Sequence, residues 1–235
     1  MLFLLTGNVQ IGKTRWLENL CGSLQAAGTC VAGVVAPGQW VLRPEGQPDG
    51  KHGFDGAGRF EKLGIDNMLL PQGERIEFAR RRDLATEGKA FAEGTQAKAA
   101  KLGWAISDTA IAQVNAHFAA LAKQAGITPA DDGADDHAAA QAANEPQLAP
   151  HAMLVVDELG RLELLRGCGL TNALAILNAG PTPQFPHAIA VVRETLLDDA
   201  RRRFEPRWGK ATAIGPDNAA RKLVLETAKA TGSSR

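Results

Sequence analysis

Gly7-Asn8-Val9-Gln10-Ile11-Gly12-Lys13-Thr14 satisfies the spacing G-x-x-x-x-G-K-[ST] at every defined position. The two glycines permit backbone angles closed to other residues and let the main chain approach a phosphate closely. Successive loop N–H groups, with the positive end of a following helix, form an anion-binding nest. Lys13 is placed to reach β- and γ-phosphates, and Thr14 to ligate Mg²⁺ through its hydroxyl. Arg15 completes the phosphate-binding set in the first turn of that helix. With glycine at about 7% of average sequences, the four fixed positions coincide on the order of once per hundred chains by chance. Flanking sequence therefore decides whether the match is genuine.

The flanks supply the required context. Met1 to Leu5 is a wholly apolar run, as expected of a strand buried on both faces of a parallel sheet. From Lys13 the apolar residues Trp16, Leu17, Leu20 and Leu24 recur at spacings of three and four, and the pattern stops at Gly28. Thr29 to Ala36 is a second apolar, β-branched run ended by Pro37-Gly38. Strand, helix and strand make a βαβ unit, so helices are expected against a parallel sheet.

Further along, Ala152 to Val156 reads as another buried strand, ending in Asp157-Glu158. An apolar strand closing on a carboxylate is the Walker B arrangement, in which Asp157 joins Thr14 around Mg²⁺. Glu158, one residue on, is placed to accept a proton from a water attacking the γ-phosphate. Helices are expected over 108–125, 170–178, 194–203 and 217–230, the last with Leu223, Leu225 and Ala228 facing inward. Strands are expected over 188–192 and 211–214. Residues 38–100, punctuated by glycine and proline, read as β-hairpin elaboration. Residues 128–150 are acidic, alanine-rich and carry three prolines, the composition of a flexible surface insertion.

The expected architecture is α/β: a single P-loop domain over 1–235 of RecA-like type. It would be a three-layer sandwich with a mainly parallel central sheet, β-hairpin elaborations and one acidic surface loop. Composition fits a globular fold, with 45% hydrophobic and 22% charged residues. Balance between 26 basic and 26 acidic residues argues against a nucleic-acid polyanion as partner. With Asp131, Asp132, Asp135 and Asp136 in the insertion, the folded body is left somewhat basic. No apolar run reaches the roughly 20 residues that span a bilayer, and the opening apolar run lacks a basic flank. Three cysteines, Cys21, Cys30 and Cys168, suggest neither a disulfide framework nor a zinc site. A cytoplasmic protein without membrane or nucleic-acid partner is expected.

The P-loop, the βαβ unit and Asp157-Glu158-Leu159-Gly160-Arg161-Leu162-Glu163-Leu164 together resemble the small nucleoside-triphosphatase family that includes the cancer-related nucleoside triphosphatase. That family carries an Asp-Glu-Ile/Leu-Gly-Lys/Arg-Met-Glu-Leu signature, with Leu162 here replacing methionine. The Gly33-Val34-Val35 strand and the turn into Gly53-Phe54 resemble the next landmark. Ala36-Pro37-Gly38 and Pro216-Asp217-Asn218-Ala219-Ala220 depart from the family pattern. The resemblance implies slow, Mg²⁺-dependent hydrolysis of several nucleoside triphosphates, ATP and GTP among them, on a RecA-like core.

Lesser features carry open readings. Arg193 follows a strand where a γ-phosphate-sensing residue could stand. Arg80-Arg81-Arg82, and Arg201-Arg202-Arg203 with Arg207, are solvated faces, a lid, an arginine finger or a contact for an acidic partner. Arg161 and Glu163 pair with one another, touch phosphate, or are simply solvated. Trp40, Trp104 and Trp208 are packing residues or a base-stacking platform. Two alternatives to hydrolysis stay open: a small-molecule or nucleotide kinase, and a nucleotide-dependent switch or adaptor.

Overall fold

The computed structural model of the protein describes residues 1–42, 59–82, 104–128 and 148–232. Its first strand, β1 (Leu2–Leu5), is buried along its whole length. Leu2 and Leu4 join one core while Phe3 and Leu5 join another, on the opposite face of the sheet. This period-two division into two buried faces is what a strand covered on both sides requires. Helix α1 (Lys13–Ala26) buries Leu17, Leu20, Cys21 and Leu24. It ends where Gly28 takes a φ of +82° and the Thr29 N–H bonds the Leu24 carbonyl at 2.9 Å.

Strands β2 (Val31–Val35), β3 (Gly38–Leu42), β4 (Phe60–Leu70), β5 (Glu74–Arg81) and β6 (Trp104–Ile106) follow. Helix α2 (Asp108–Gln124) opens on Ser107, whose hydroxyl accepts from the Ala110 N–H at 3.3 Å. Then come β7 (Met153–Leu159), α3 (Arg161–Arg166), α4 (Thr171–Ala179) and β8 (His187–Val192). A 3₁₀ turn at Glu194–Leu196 leads into α5 (Leu197–Trp208), and β9 (Thr212–Ile214) and α6 (Asn218–Gly232) close the described chain.

Among the described residues the strands form one nine-stranded sheet, in the order β6-β5-β4-β2-β7-β8-β1-β9, with β3 paired to β4. The pairings β2–β7, β7–β8, β8–β1 and β1–β9 are parallel. Those of β2–β4, β3–β4, β4–β5 and β5–β6 are antiparallel. The sheet is thus half parallel and half antiparallel, whereas a mainly parallel one was expected. The difference lies in the hairpin elaboration, which joins the central sheet instead of decorating it.

Two cores lie on the two faces of the parallel half. One gathers Phe118 and Leu121 of α2, Ile176 and Leu177 of α4, and Phe204 of α5. The other gathers Leu17, Leu20 and Leu24 of α1 with Val224 and Ala228 of α6. Each fully buried phenylalanine or leucine in them contributes about 1.5–3 kcal/mol relative to exposure. In α6 it is Ala220, Val224 and Ala228 that are buried, while Leu223 is 40% exposed. The expected inward Leu223 is therefore corrected: the stripe runs one residue later, where Val224 meets β1 and β9.

Further differences concern element bounds. Helix α3, six residues directly after β7, was not expected, and α5 extends five residues past the expected end at 203. The β-rich elaboration continues to β6, beyond residue 100. Residues 43–58 and 83–103 of or beside that elaboration lie outside the described residues, as do 129–147 of the acidic insertion. At its far end Leu148 is only 7% exposed, and its N–H bonds the Gln124 side chain at 3.0 Å. No described helix is long and apolar enough to cross a membrane.

Candidate functional site

Parallel strands β1, β7 and β8 end on the same edge of the sheet, where the open α/β architecture leaves room for ligands. Each delivers part of the site. After β1 the loop 7–12 takes positive φ at Gly7 (+130°), Gln10 (+65°) and Gly12 (+86°) before entering α1. A left-handed conformation at Gln10 costs about 1–2 kcal/mol relative to the right-handed form. Asn8, Val9, Gln10, Ile11 and Gly12 are exposed, with Gly7, Lys13 and Thr14 half-buried. Among the described residues none covers the tip of the loop. Arg15 is exposed on α1, where its charge is felt by Glu18.

The Lys13 ammonium donates to the carbonyls of Gly7 at 2.9 Å and Asn8 at 2.7 Å, clasping the loop from its helical end. Burial lowers its pKa, as does the Arg193 guanidinium, while Asp157, Glu158 and Glu194 oppose the shift. Those four charges therefore converge on Lys13. Arg193 and Glu194 arrive at the end of β8, which lies between β1 and β7 in the sheet. That position explains how residues remote in sequence reach the gap between P-loop and carboxylates.

Asp157 is buried (2% exposed), and the Ala36 N–H donates to its Oδ2 at 3.0 Å. Burial and the neighbouring Glu158 push its pKa up, opposed by the Ala36 N–H, the Thr14 side chain and the charge of Lys62. Its other oxygen, Oδ1, is buried and has no hydrogen-bond partner among the described residues. A half-bonded buried carboxylate beside a threonine hydroxyl offers hard oxygen donors of the kind a Mg²⁺ ion takes. No cluster of three or more histidine, cysteine or carboxylate side chains forms a metal site elsewhere among the described residues.

Glu158 breaks the strand's alternation. Its φ is +63°, its side chain is exposed, and the β7–β8 register shifts between Val156 and Leu159. The reversal turns the carboxylate into solvent at the strand edge while Leu159 returns to the core at 1% exposure. A glutamate held in a left-handed conformation is strain concentrated beside a charged site, the pattern expected where geometry serves function.

The stretch after Glu158 is built to hold that turn. Glu163 is buried, and its carboxylate accepts from the N–H of Gly160 at 2.9 Å and of Leu170 at 3.2 Å. Its Oε1 lies so close to Gly169 that a Cβ there would come within 2.1 Å. Asn115 of α2 bonds the Gly169 carbonyl at 2.9 Å and the Asn172 N–H at 3.1 Å. Burial raises the Glu163 pKa and the backbone donors oppose it. Glu163 is thus neither a partner of Arg161 nor a solvated residue, but a clamp between Gly160, just past the end of β7, and Leu170. Arg161 is exposed.

Most members of the two arginine clusters are engaged by neighbouring groups. Arg80 pairs with Glu77, and Arg81 with Glu61. Arg201 and Arg202 meet Asp198 and Asp199 at 3.7 and 3.2 Å. Arg203 donates to the Asn178 side chain at 3.1 Å and the Glu163 carbonyl at 3.3 Å, fastening α5 to α4 and α3. Trp208 is buried, its indole donating to the Leu177 carbonyl at 2.6 Å, so it packs. Cys21 is buried and its thiol is pushed up to about 12, chiefly by burial. Cys30 is partly buried.

Sequence reading did not find the Ala36 N–H, Glu194 or Lys62. Ala36 stood in the Ala36-Pro37-Gly38 departure, the one signal available. For Lys62 there was none, since strand pairing alone brings it near. No family model matches the chain, and no curated protein matches it. Among solved structures, the chain is similar to the solution structure of a human cancer-related nucleoside triphosphatase. Identity is 16% and the TM-score 0.48, over 100% of this chain and 98% of that one.

Proposed function

We propose that the protein hydrolyses nucleoside triphosphates to diphosphate and phosphate with Mg²⁺ and broad base tolerance, as one P-loop domain of RecA-like type. The observation that carries this reading is Glu158: a strained, exposed carboxylate beside buried Asp157, its charge felt by the P-loop Lys13.

In this reading the amides of residues 7–14 and the Lys13 ammonium bind the phosphates, with Arg15 at the helix start. Thr14 and Asp157 hold the metal. When bound, Mg²⁺ would supply positive charge against the negative charge that builds on the leaving group. Glu158 orients a water and takes its proton as the water oxygen bonds the γ-phosphorus. The bond from that phosphorus to the bridging oxygen breaks, its electron pair leaving with the diphosphate. Arg193, at the end of β8, is positioned to respond to the terminal phosphate. Base tolerance follows from recognition that rests on backbone amides and Lys13, which meet phosphate and not base.

A kinase would bring its second substrate under a lid, and the arginine cluster suited to that role is tied to Asp198, Asp199, Asn178 and Glu163. The direct test measures phosphate release from ATP, GTP, CTP and UTP with and without Mg²⁺. Release from several of them that needs Mg²⁺, and loss of triphosphate binding in Lys13→Ala, are expected. Transfer to an acceptor without release to water would overturn the reading.

A further inference from the structure

Beyond the P-loop, the antiparallel half of the sheet carries a feature that hydrolysis as described does not use. Strand β2 runs parallel to β7, with Val34 opposite Val156, so both reach the phosphate-bearing edge together. At Ala36-Pro37 the chain leaves β7 and continues as β3, paired among the described residues with the first half of β4. That ribbon therefore projects past the edge on which the P-loop, Asp157 and Glu158 lie.

On the ribbon Lys62 pairs with Trp40, yet its Cε lies over Gly38, where an added Cβ would come within 2.7 Å of it. The side chain thus leans back along the strand by two residues, toward Ala36 and the carboxylate that Ala36 holds. Its ammonium stands 6.0 Å from the Trp40 ring centroid and 5.7 Å from that of Trp104. Two aromatic faces hold a cation without neutralising it. The ribbon's carboxylates are otherwise engaged: Glu61 with Arg81, Glu77 with Arg80, and Asp66 with Arg75 at 3.6 Å. Among the described residues no carboxylate lies within ion-pair distance of Lys62, which is half-buried. A half-buried cation held in place with no anion paired to it among the described residues, leaning toward a polyphosphate site, is arranged to receive one. The charge of Lys62 is also felt at Asp157.

We propose that Lys62, steered by Trp40 and Trp104 over Gly38, is a second binding cation for the terminal phosphate of the nucleoside triphosphate, in addition to Lys13. The inference rests on the triphosphatase reading and adds to it a contact from outside the parallel core. It makes the ribbon a discriminator between triphosphate and diphosphate.

The experiment is calorimetric titration of the full chain, with Mg²⁺, using a non-hydrolysable ATP analogue and ADP in parallel. Wild type, Lys62→Met, Lys62→Gln, Lys62→Arg and Lys13→Ala are compared, with thermal melts confirming that each is folded. Removing a charge-assisted contact should weaken the triphosphate analogue about tenfold or more in Lys62→Met and Lys62→Gln. ADP affinity should stay within about twofold, and Lys62→Arg should retain most of the preference. Wild-type binding with equal triphosphate affinity in Lys62→Met and Lys62→Gln would overturn this proposal and leave the P-loop reading standing. Equal loss of ADP and analogue in the Lys62 variants would also overturn it, because the contact would not concern the terminal phosphate. No binding of either nucleotide to wild type would overturn both.

Discussion

The main-chain N–H of Ala36 donates to Oδ2 of Asp157 at 3.0 Å, joining the end of β2 to the end of β7. This bond fixes one carboxylate oxygen and leaves Oδ1 unbonded and buried among the described residues. A carboxylate in that state costs stability, because desolvation outweighs its partners and pushes its pKa up.

Asp157→Asn should therefore preserve the Ala36 bond while removing the buried charge. In metal-free buffer its unfolding free energy should equal or exceed that of wild type, by on the order of 1 kcal/mol. Mg²⁺ stimulation of phosphate release should vanish. Chemical denaturation and a metal titration of turnover check the two halves. A strongly destabilised Asp157→Asn would mean the carboxylate holds the fold together.

Glu158→Gln keeps shape and loses the proton acceptor. Nucleotide affinity should stay near wild type while turnover falls about hundredfold or more, the usual cost of a general base. Single-turnover phosphate release and calorimetry separate the two. Turnover at the wild-type rate would end the assignment of Glu158.

The φ of +63° at Glu158 gives a stability prediction independent of catalysis. Glycine is free of the steric penalty in that region, while alanine is not. Glu158→Gly should be more stable than Glu158→Ala by about 1 kcal/mol, both lacking activity. Equal midpoints for the two would show that the turn relaxes when the glutamate is gone.

Gly33 lies in β2 with a φ of +121°, and a Cβ there would fall 1.9 Å from the Val155 carbonyl oxygen. Only backbone fits between these paired strands. Gly33→Ala should destabilise by on the order of 3 kcal/mol or more, read by denaturant titration, since neither strand can move without displacing the site.

His117 is buried on α2, its Nε2 donating to the Gly33 carbonyl at 3.1 Å. Burial pushes its pKa down to about 4. The unfolded chain, with histidine near 6.5, binds the proton more readily. The contribution of His117 is therefore complete above about pH 6.5 and is lost as pH falls toward 4. His117→Gln should lose stability less steeply than wild type over that window. Parallel slopes in thermal melts from pH 7 to 4.5 would count against a buried neutral imidazole.

How much was legible follows from which interactions are local. The strand Met1–Leu5, the P-loop and α1 are contiguous, and each announces itself by composition and spacing. The same holds for β7 and its two terminal carboxylates. The inward face of α6 was misjudged by one residue at Leu223, because helical spacing fixes a stripe's period but the sheet decides which stripe faces it. For Glu163 a pair with Arg161, a phosphate contact and a solvated position all stayed open, because its partners, Gly160 and Leu170, are backbone groups with no sequence signature.

By itself the sequence determined the glycine-lysine loop after β1, the carboxylate pair and the alternation of strands with helices, since these depend on residue type within short windows. Tertiary structure alone decided that β8 separates β1 from β7 and carries Arg193 to Lys13. It also decided that a half-antiparallel sheet brings the charge of Lys62 to bear on Asp157. Both are consequences of strand order and register, set by which apolar faces pack together across the whole chain and by no local pattern.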